Sequence, residues 1–159
     1  VLSTGVRTFE AAAFLKGKGA DTVAVKRLFS NSIESNRKRS EIISAAHIYR
    51  GCAIACTAPG TENARLLSAQ AADELLEVSG VKASFVIFDS ENDSVNIAAR
   101  SSGELNVQII MEYLGGGGHR TMAAAQLTGV NMEEAKSKLC EAIDAKYPRT
   151  DGEEPTPIS

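Results

Sequence analysis

The hydrophobic pattern of this chain changes its period once, close to His47, and that change limits the folds open to it. From Thr8 to about Ala46 the apolar residues recur at helical spacing, with a break at 17–19 and a charged third helix from Glu34. After His47, short alternating or continuous apolar runs indicate strands, and amphipathic helices separate them. We therefore predict an α/β fold, a mixed β-sheet covered by helices and preceded by a helical segment.

The part of the chain after this change carries four candidate strands and three candidate helices. The strands cover 48–57, 83–88, 95–100 and 123–127, and the helices begin at Thr61 or Asn63 (running to Val78), at Asn106, and at Asn131 with Glu134. Asparagine is typical of the N-cap position, and a Glu three residues later completes a capping box. The pattern predicts a helical part with a linker at 1–46, a second domain at 47–147 and a flexible tail at 148–159.

The charge distribution argues against a protein that coats duplex DNA. The net charge is -3: residues 1–50 carry nine basic against four acidic side chains, whereas 51–159 carry eight against sixteen. Broad nucleic-acid binding needs a basic surface, so we expect only a local contact and no long duplex DNA as a partner. The two histidines and three cysteines match no metal-binding spacing, and no metal ligand is predicted. No apolar run approaches the ~18 residues of a membrane span.

The start of the sequence, at Val1, has neither an initiator methionine nor a signal-peptide pattern. We therefore expect the chain to be a piece of a longer protein, and that expectation limits each functional prediction made from it.

One segment is more specific than the rest: Arg100-Ser101, then Asn106 at a helix start, then four glycines and His119. Ordering glycine costs more backbone entropy than ordering any other residue, and a plain linker is not expected between a core helix and a strand. A loop of bare backbone can turn N–H groups toward an anion, and an imidazole or a guanidinium can add to the same site. A flexible turn beside a surface Arg and His explains the pattern equally well. The four glycines are Gly115, Gly116, Gly117 and Gly118.

This spaced motif, from Arg100-Ser101 through Asn106-Val107 to His119, resembles the signature of the C-terminal nucleotide-binding domain of DHH-family phosphoesterases. It is most similar to the cyclic di-AMP phosphodiesterases of Gram-positive bacteria, the GdpP/YybT type. Upstream, Thr4–Ala12 resembles the stretch that follows the last metal-binding motif of their catalytic domain. The resemblance implies that residues 1–46 are the helical end of the DHH domain with its linker, and that residues 47–147 are the DHH-associated domain.

The resemblance implies a parent enzyme that uses two Mn²⁺ ions to activate a water and open cyclic di-AMP to linear pApA. The Asp and His motifs that bind these ions are absent from this sequence, so we expect the ions in a catalytic domain outside it, no cofactor in the fragment and no activity of the fragment alone. The implied substrate-binding residues are the four glycines and His119 on a phosphate, Arg100 and Ser101 on a phosphate or nucleobase, and Asn106 as a support or ligand contact.

The expected partners are cyclic di-AMP, pApA or a short oligonucleotide, together with the protein's own N-terminal DHH domain; a homodimer is left open. The expected location is the cytoplasm, with the parent anchored in the membrane and this region on the cytoplasmic face. Two alternatives remain. One is the same domain in an oligoribonuclease or a 3′-phosphoadenosine phosphatase, and the other is a non-catalytic RNA-binding module like the C-terminal domain of alanyl-tRNA synthetases.

Overall fold

The computed structural model describes residues 22–90 and 93–147, which form four helices and six strands. The elements in chain order are α1 (Thr22–Ser44), β1 (His47–Tyr49), β2 (Cys52–Cys56), α2 (Ala64–Leu76), β3 (Ala83–Ser90), β4 (Ser94–Ser101), α3 (Val107–Tyr113), β5 (Gly117–Gly118), β6 (Met122–Thr128) and α4 (Met132–Lys146). The chain divides into two compact units, 1–41 and 42–159. The domain boundary at 46 stays a prediction.

The helix α1 is continuous over 23 residues, so the prediction of two separate helices within this stretch is wrong. No glycine or proline interrupts it, and the Arg37 guanidinium pairs with the carboxylates of Glu34 and Glu41, three and four residues away. Such pairs add support along a solvent-exposed helix. The predicted first helix and the break at 17–19 lie outside the described residues.

The sheet of the second unit has the strand order β1-β2-β3-β4-β6-β5. The strands β2 and β3 run parallel, connected through α2, and the remaining neighbours pair antiparallel. The predicted mixed sheet with covering helices is therefore confirmed.

The predicted single strand over 48–57 is wrong, because the chain reverses within it. Arg50 and Gly51 both adopt positive φ, at 52° and 78°, which is the conformation of a two-residue turn that matches strand twist. His47 consequently pairs with Ile54, and Tyr49 with Cys52. Only these two residues separate the apolar residues at 48–49 from the apolar run at 52–56, which is why the sequence pattern resembles one strand.

The sheet has two unequal faces. The covered face carries Ile54, Phe85 and Ile97, which are buried against α3 and α4. The second face carries Ala53 and Val86 in its own apolar cluster. That cluster packs against α2 and also includes Ile42, Ala55, Leu67, Ala71, Ala72 and Leu75. The sequence alternation on each strand therefore places one set of side chains under two helices and the other set partly under a single helix.

Two of the predicted helix starts are confirmed by their caps. The Asn106 side chain accepts a hydrogen bond from the Gln108 N–H at 3.0 Å, and the Asn131 side chain accepts one from Glu134 N–H at 2.8 Å. Asn63 occupies the N-cap position of α2 but has a φ of 53°, and its side chain makes no capping bond. A left-handed backbone there turns the amide away from the helix N–H groups, so the predicted side-chain cap does not form.

Candidate functional site

The serine of the motif closes a small loop between β4 and α3. The Ser101 hydroxyl donates to the Leu105 carbonyl and accepts from the Gly103 N–H at 3.0 Å, and its backbone N–H donates to the Thr121 carbonyl at 3.0 Å. The residue is buried. Its hydroxyl already donates one hydrogen bond and accepts another within the loop, so Ser101 shapes the loop instead of presenting a group to a ligand.

Asn106 has a similar supporting position. Its side chain caps α3, and the next residue ties the start of this helix to the segment after the glycines, because the Val107 N–H donates to the Arg120 carbonyl at 3.0 Å. Of the two predicted roles for Asn106, support and ligand contact, these bonds favour support.

The glycine loop ends α3 and begins β5. Gly115 has a φ of 86°, its N–H donates to the Glu112 carbonyl at 3.0 Å, and the Gly116 N–H donates to the Met111 carbonyl at 2.7 Å. These bonds satisfy carbonyl groups left open at the helix end. The sequence interpretation predicted that several N–H groups of this loop point toward an anion. The first two glycines instead direct theirs to the helix.

The four glycines differ in whether the fold leaves room for a side chain at their position. A Cβ on Gly116 would lie 2.1 Å from the Ala124 carbonyl oxygen, and a Cβ on Gly118, which has a φ of 145°, would lie 2.5 Å from the Met122 carbonyl oxygen. A Cβ on Gly117 would meet nothing within 4 Å, and its φ is not in the positive region. The fold therefore explains three of the glycines and leaves Gly117 without a packing reason.

The strand register brings the two ends of the sequence motif into one row. Arg100 of β4 pairs with Met122 of β6, and the His119 N–H donates to the Met122 carbonyl at 2.6 Å. Residues paired across adjacent strands share a face, and neighbouring strands lie ~4.8 Å apart, so strand geometry puts the backbones of Arg100 and His119 ~10 Å apart. Residues that are 19 positions apart in sequence thus flank one exposed methionine.

A second row of small residues lies beside the first. Ala124 of β6 pairs with Ala98 of β4 on one side and with Gly117 on the other. Ala98 is buried against Ala64 and Phe88, whereas Ala124 is exposed and Gly117 half-buried. Ala124 and Gly117, together with the exposed Met122 and Gln126, form the part of the second face that we call the open strip. The open strip combines two residues with little or no side chain, Ala124 and Gly117, with the longer Met122 and Gln126, and it is bounded by the Arg100 and His119 positions.

Arg100 lies at the margin of the open strip, held by α2. Its Nε donates to the Asp73 carboxylate at 3.1 Å, and its Nη1 donates to the Ala99 carbonyl at 2.9 Å, while 14% of its side chain stays exposed. The prediction placed Arg100 on the face opposite its apolar neighbours, and it lies there. Asp73 was missed by the sequence interpretation, because nothing in the local pattern around it indicates a partner on β4.

The described residues, 22–90 and 93–147, contain no group of three His, Cys, Asp or Glu side chains placed to hold a metal ion. Among the helices in the same part of the chain, none has the length and apolarity needed to cross a membrane.

The fold and the motif define a known class of domain. Residues 52–147 match the DHHA1 domain family, so this chain belongs to that family. It is 50% identical over 143 residues to the cyclic-di-AMP phosphodiesterase GdpP of Geobacillus thermodenitrificans and 46% identical over 147 residues to the cyclic-di-AMP phosphodiesterase PdeA of Listeria monocytogenes. These alignments cover 89% and 92% of this chain but 22% of each relative, so the chain spans about a fifth of their length.

Among solved structures, the fold is similar to that of an exopolyphosphatase-related protein from Bacteroides fragilis, with a TM-score of 0.62. That alignment covers 82% of this chain and 41% of the other, at 21% sequence identity. At that identity the likeness concerns the fold alone.

Proposed function

We propose that this chain is the substrate-binding part of a phosphodiesterase that hydrolyses cyclic di-AMP to pApA, and that its open strip binds the nucleotide. The observation that carries the proposal is the strand register that aligns Arg100 with Met122 and brings His119 beside it. The names of the relatives at 50% and 46% identity supply the substrate class.

The chemistry of this row suits a phosphorylated ligand. A guanidinium binds phosphate through charge-assisted hydrogen bonds, and an imidazole adds a donor to the same kind of group. The Arg100 Nη2 makes no hydrogen bond with the described residues, and the His119 residue is exposed. Two donors on either side of Met122 can contact two separate groups, which suits a dinucleotide better than an isolated phosphate.

The proposed contacts are fewer than the sequence prediction named. Arg100 and His119 contact phosphate groups, and Gly117 lets the ligand approach the sheet, because no internal contact requires a glycine there. Ser101 and Asn106 hold the loop in place through the bonds described above. The other three glycines shape the turn from α3 into β5.

We place the metal chemistry outside this chain. The donor set needed for two Mn²⁺ ions is not present in the described part of the chain, so these residues do not fit such a site and contribute no step through it. The ions belong, in this proposal, to a DHH domain of the same protein. The chain supplied with cyclic di-AMP and excess Mn²⁺ should release no pApA, and release that survives repurification would contradict this division of roles.

The partner of the open strip in the parent protein is then its own DHH domain, with the nucleotide between them. The proposed location is the cytoplasm, on a membrane-anchored parent, and a homodimer of the parent is compatible with the same arrangement.

The binding test is a titration of the chain with pApA, in which the amide chemical shifts are monitored by NMR. This method measures dissociation constants up to the millimolar range. His119→Ala and Arg100→Ala should each weaken binding by about 1.5–3 kcal/mol, the range for charge-assisted hydrogen bonds. Arg120→Ala is the matched control. The Arg120 side chain is next to the motif, but its Nε donates to the Gly103 carbonyl at 2.9 Å, so its loss should change affinity little.

The same substitutions should also be made in the parent enzyme, where the measured quantity is the Michaelis constant for cyclic di-AMP. If Arg100→Ala and His119→Ala match the wild type in both proteins, the glycine loop is only a turn and the proposed site is wrong.

A further inference from the structure

Asp73 is placed beside Arg100 by the packing of α2 on the sheet. The buried Ser84 hydroxyl donates to the Ala72 carbonyl at 2.5 Å, which fixes the helix against β3 one residue before Asp73. Ser84 is also the strand partner of Arg100. The helix and the sheet are therefore joined at the position that brings the Asp73 carboxylate to the guanidinium.

The contacts of Arg100 leave a defined part of the guanidinium for other groups. The Nε–H is taken by Asp73 at 3.1 Å and Nη1 by the Ala99 carbonyl at 2.9 Å, whereas Nη2 makes no hydrogen bond with the described residues. Two anchors at different nitrogens set both the position of this planar group and its rotation. An arginine without them would sample many rotamers.

We propose that Asp73 is a positioning residue, which holds the Arg100 guanidinium in the orientation that presents Nη2 to a phosphate of the nucleotide. This inference rests on the proposed function of the open strip. Orienting a long side chain before the ligand arrives lowers the entropy cost of binding, and the gain appears in affinity. The Asp73 side chain is 64% exposed, and an ion pair with so exposed a partner adds little to folding stability.

The Asp73 charge also repels a phosphate, which opposes the positioning effect. Solvent screens this repulsion, since the carboxylate is mostly exposed, whereas the hydrogen bond to Nε is lost completely when the side chain is removed. Asparagine retains the acceptor oxygen without the charge. Asp73→Asn should therefore bind pApA within about 2-fold of the wild type, and Asp73→Ala should bind about 5-fold more weakly, the scale of one hydrogen bond.

The decisive experiment is a double-mutant cycle on pApA binding, measured by NMR titration of the whole chain. The cycle consists of the wild type, Asp73→Ala, Arg100→Ala and the double variant. Because Asp73 acts through Arg100, the Asp73→Ala change should have less than about 1.5-fold effect when Arg100 is already alanine. Glu141→Ala, an exposed charge on α4 at the other face, is the control for a change in net charge.

A second measurement needs no ligand. The Arg100 Nε–H signal should be visible and slow to exchange in the wild type and in Asp73→Asn, and it should be lost or broadened in Asp73→Ala. Circular dichroism melting verifies that each variant is folded.

The outcomes separate the two proposals. Full binding by both Arg100→Ala and His119→Ala overturns the proposed function and this inference with it, and full binding by Arg100→Ala alone overturns the inference. Weakened binding by Arg100→Ala, combined with unchanged or tighter binding by Asp73→Ala, overturns only the positioning role. Losses that add independently in the double variant, or an Nε–H signal that is the same with and without Asp73, overturn it as well.

Discussion

The two faces of the sheet are built from the same strands and have opposite character. On β6, Ala123 and Ala125 are buried under α3 and α4, while the alternate residues Met122 and Ala124 are exposed on the open strip. Every other residue of one strand therefore serves the core, and the residues between them are left to solvent. Along a single strand, the residues that stabilise the core therefore alternate with the residues that we propose for ligand binding.

Because of this separation, the side chains of the open strip are not constrained by core packing. The covered face holds the domain together with large buried side chains such as Phe85, Ile97 and Leu139. The row from Arg100 to His119 contributes little to that core, so its side chains can vary to suit a ligand without loss of stability. Substitutions on the two faces should consequently change two different measurements.

The largest expected effect lies on the covered face. Leu139 of α4 is fully buried, and Leu139→Ala should lower the free energy of unfolding by about 2–5 kcal/mol through lost burial and the cavity that remains. Met122→Ala, on the open strip at 52% exposure, should change it by less than about 0.5 kcal/mol. Chemical denaturation of both variants measures the contrast. A comparable loss for Met122→Ala would mean that the strip is part of the core.

The glycine loop allows the same comparison within two neighbouring residues. Gly116→Ala forces a Cβ to within 2.1 Å of a backbone oxygen and should cost about 1–3 kcal/mol of stability, the usual range for overpacking. Gly117→Ala adds a methyl group to open space and should leave the unfolding midpoint close to that of the wild type. Its effect should appear in pApA affinity, because the methyl group projects where the ligand is proposed to approach.

The two glycine variants thus distinguish packing from binding. If Gly117→Ala binds pApA as tightly as the wild type while remaining folded, the ligand does not approach this part of the strip. If Gly116→Ala keeps full stability, the close contact with Ala124 is relieved by a shift of the loop, and the fold does not require that glycine.

The parts of the fold that could be predicted depend on local signals. The strands β3, β4 and β6 follow from their apolar runs, and the helix starts at Asn106 and Asn131 follow from the capping preference of asparagine. The turn at Arg50-Gly51 was missed because only two residues interrupt the apolar residues on either side of it. The continuity of α1 was missed because a charged stretch resembles a new helix as much as the solvent-exposed part of an existing one.

The candidate site could be predicted only in part, for a different reason. The motif identified the residues, but their arrangement depends on strand register and on how α2 crosses the sheet. Asp73 and Arg100 are 27 residues apart, and neither position carries a local pattern that predicts their contact. The engagement of the Gly115 and Gly116 N–H groups with α3 likewise depends on how the helix ends.

The smallest expected effect concerns Asn106, whose role the sequence left between support and ligand contact. Asn106→Ala removes the side-chain acceptor of the Gln108 N–H and should cost about 1 kcal/mol of stability, the typical value of an N-cap. Asn106→Asp keeps an acceptor at the same position and should recover most of that loss. Because the Asn106 side chain is engaged in the cap and is proposed to support the loop without touching the ligand, pApA affinity of the folded Asn106→Ala variant should stay within about 2-fold of the wild type, well under the tenfold that 1.4 kcal/mol of lost contact would give. Denaturation and NMR titration of the same samples provide both values, and a larger loss of affinity than of stability would make Asn106 a ligand contact.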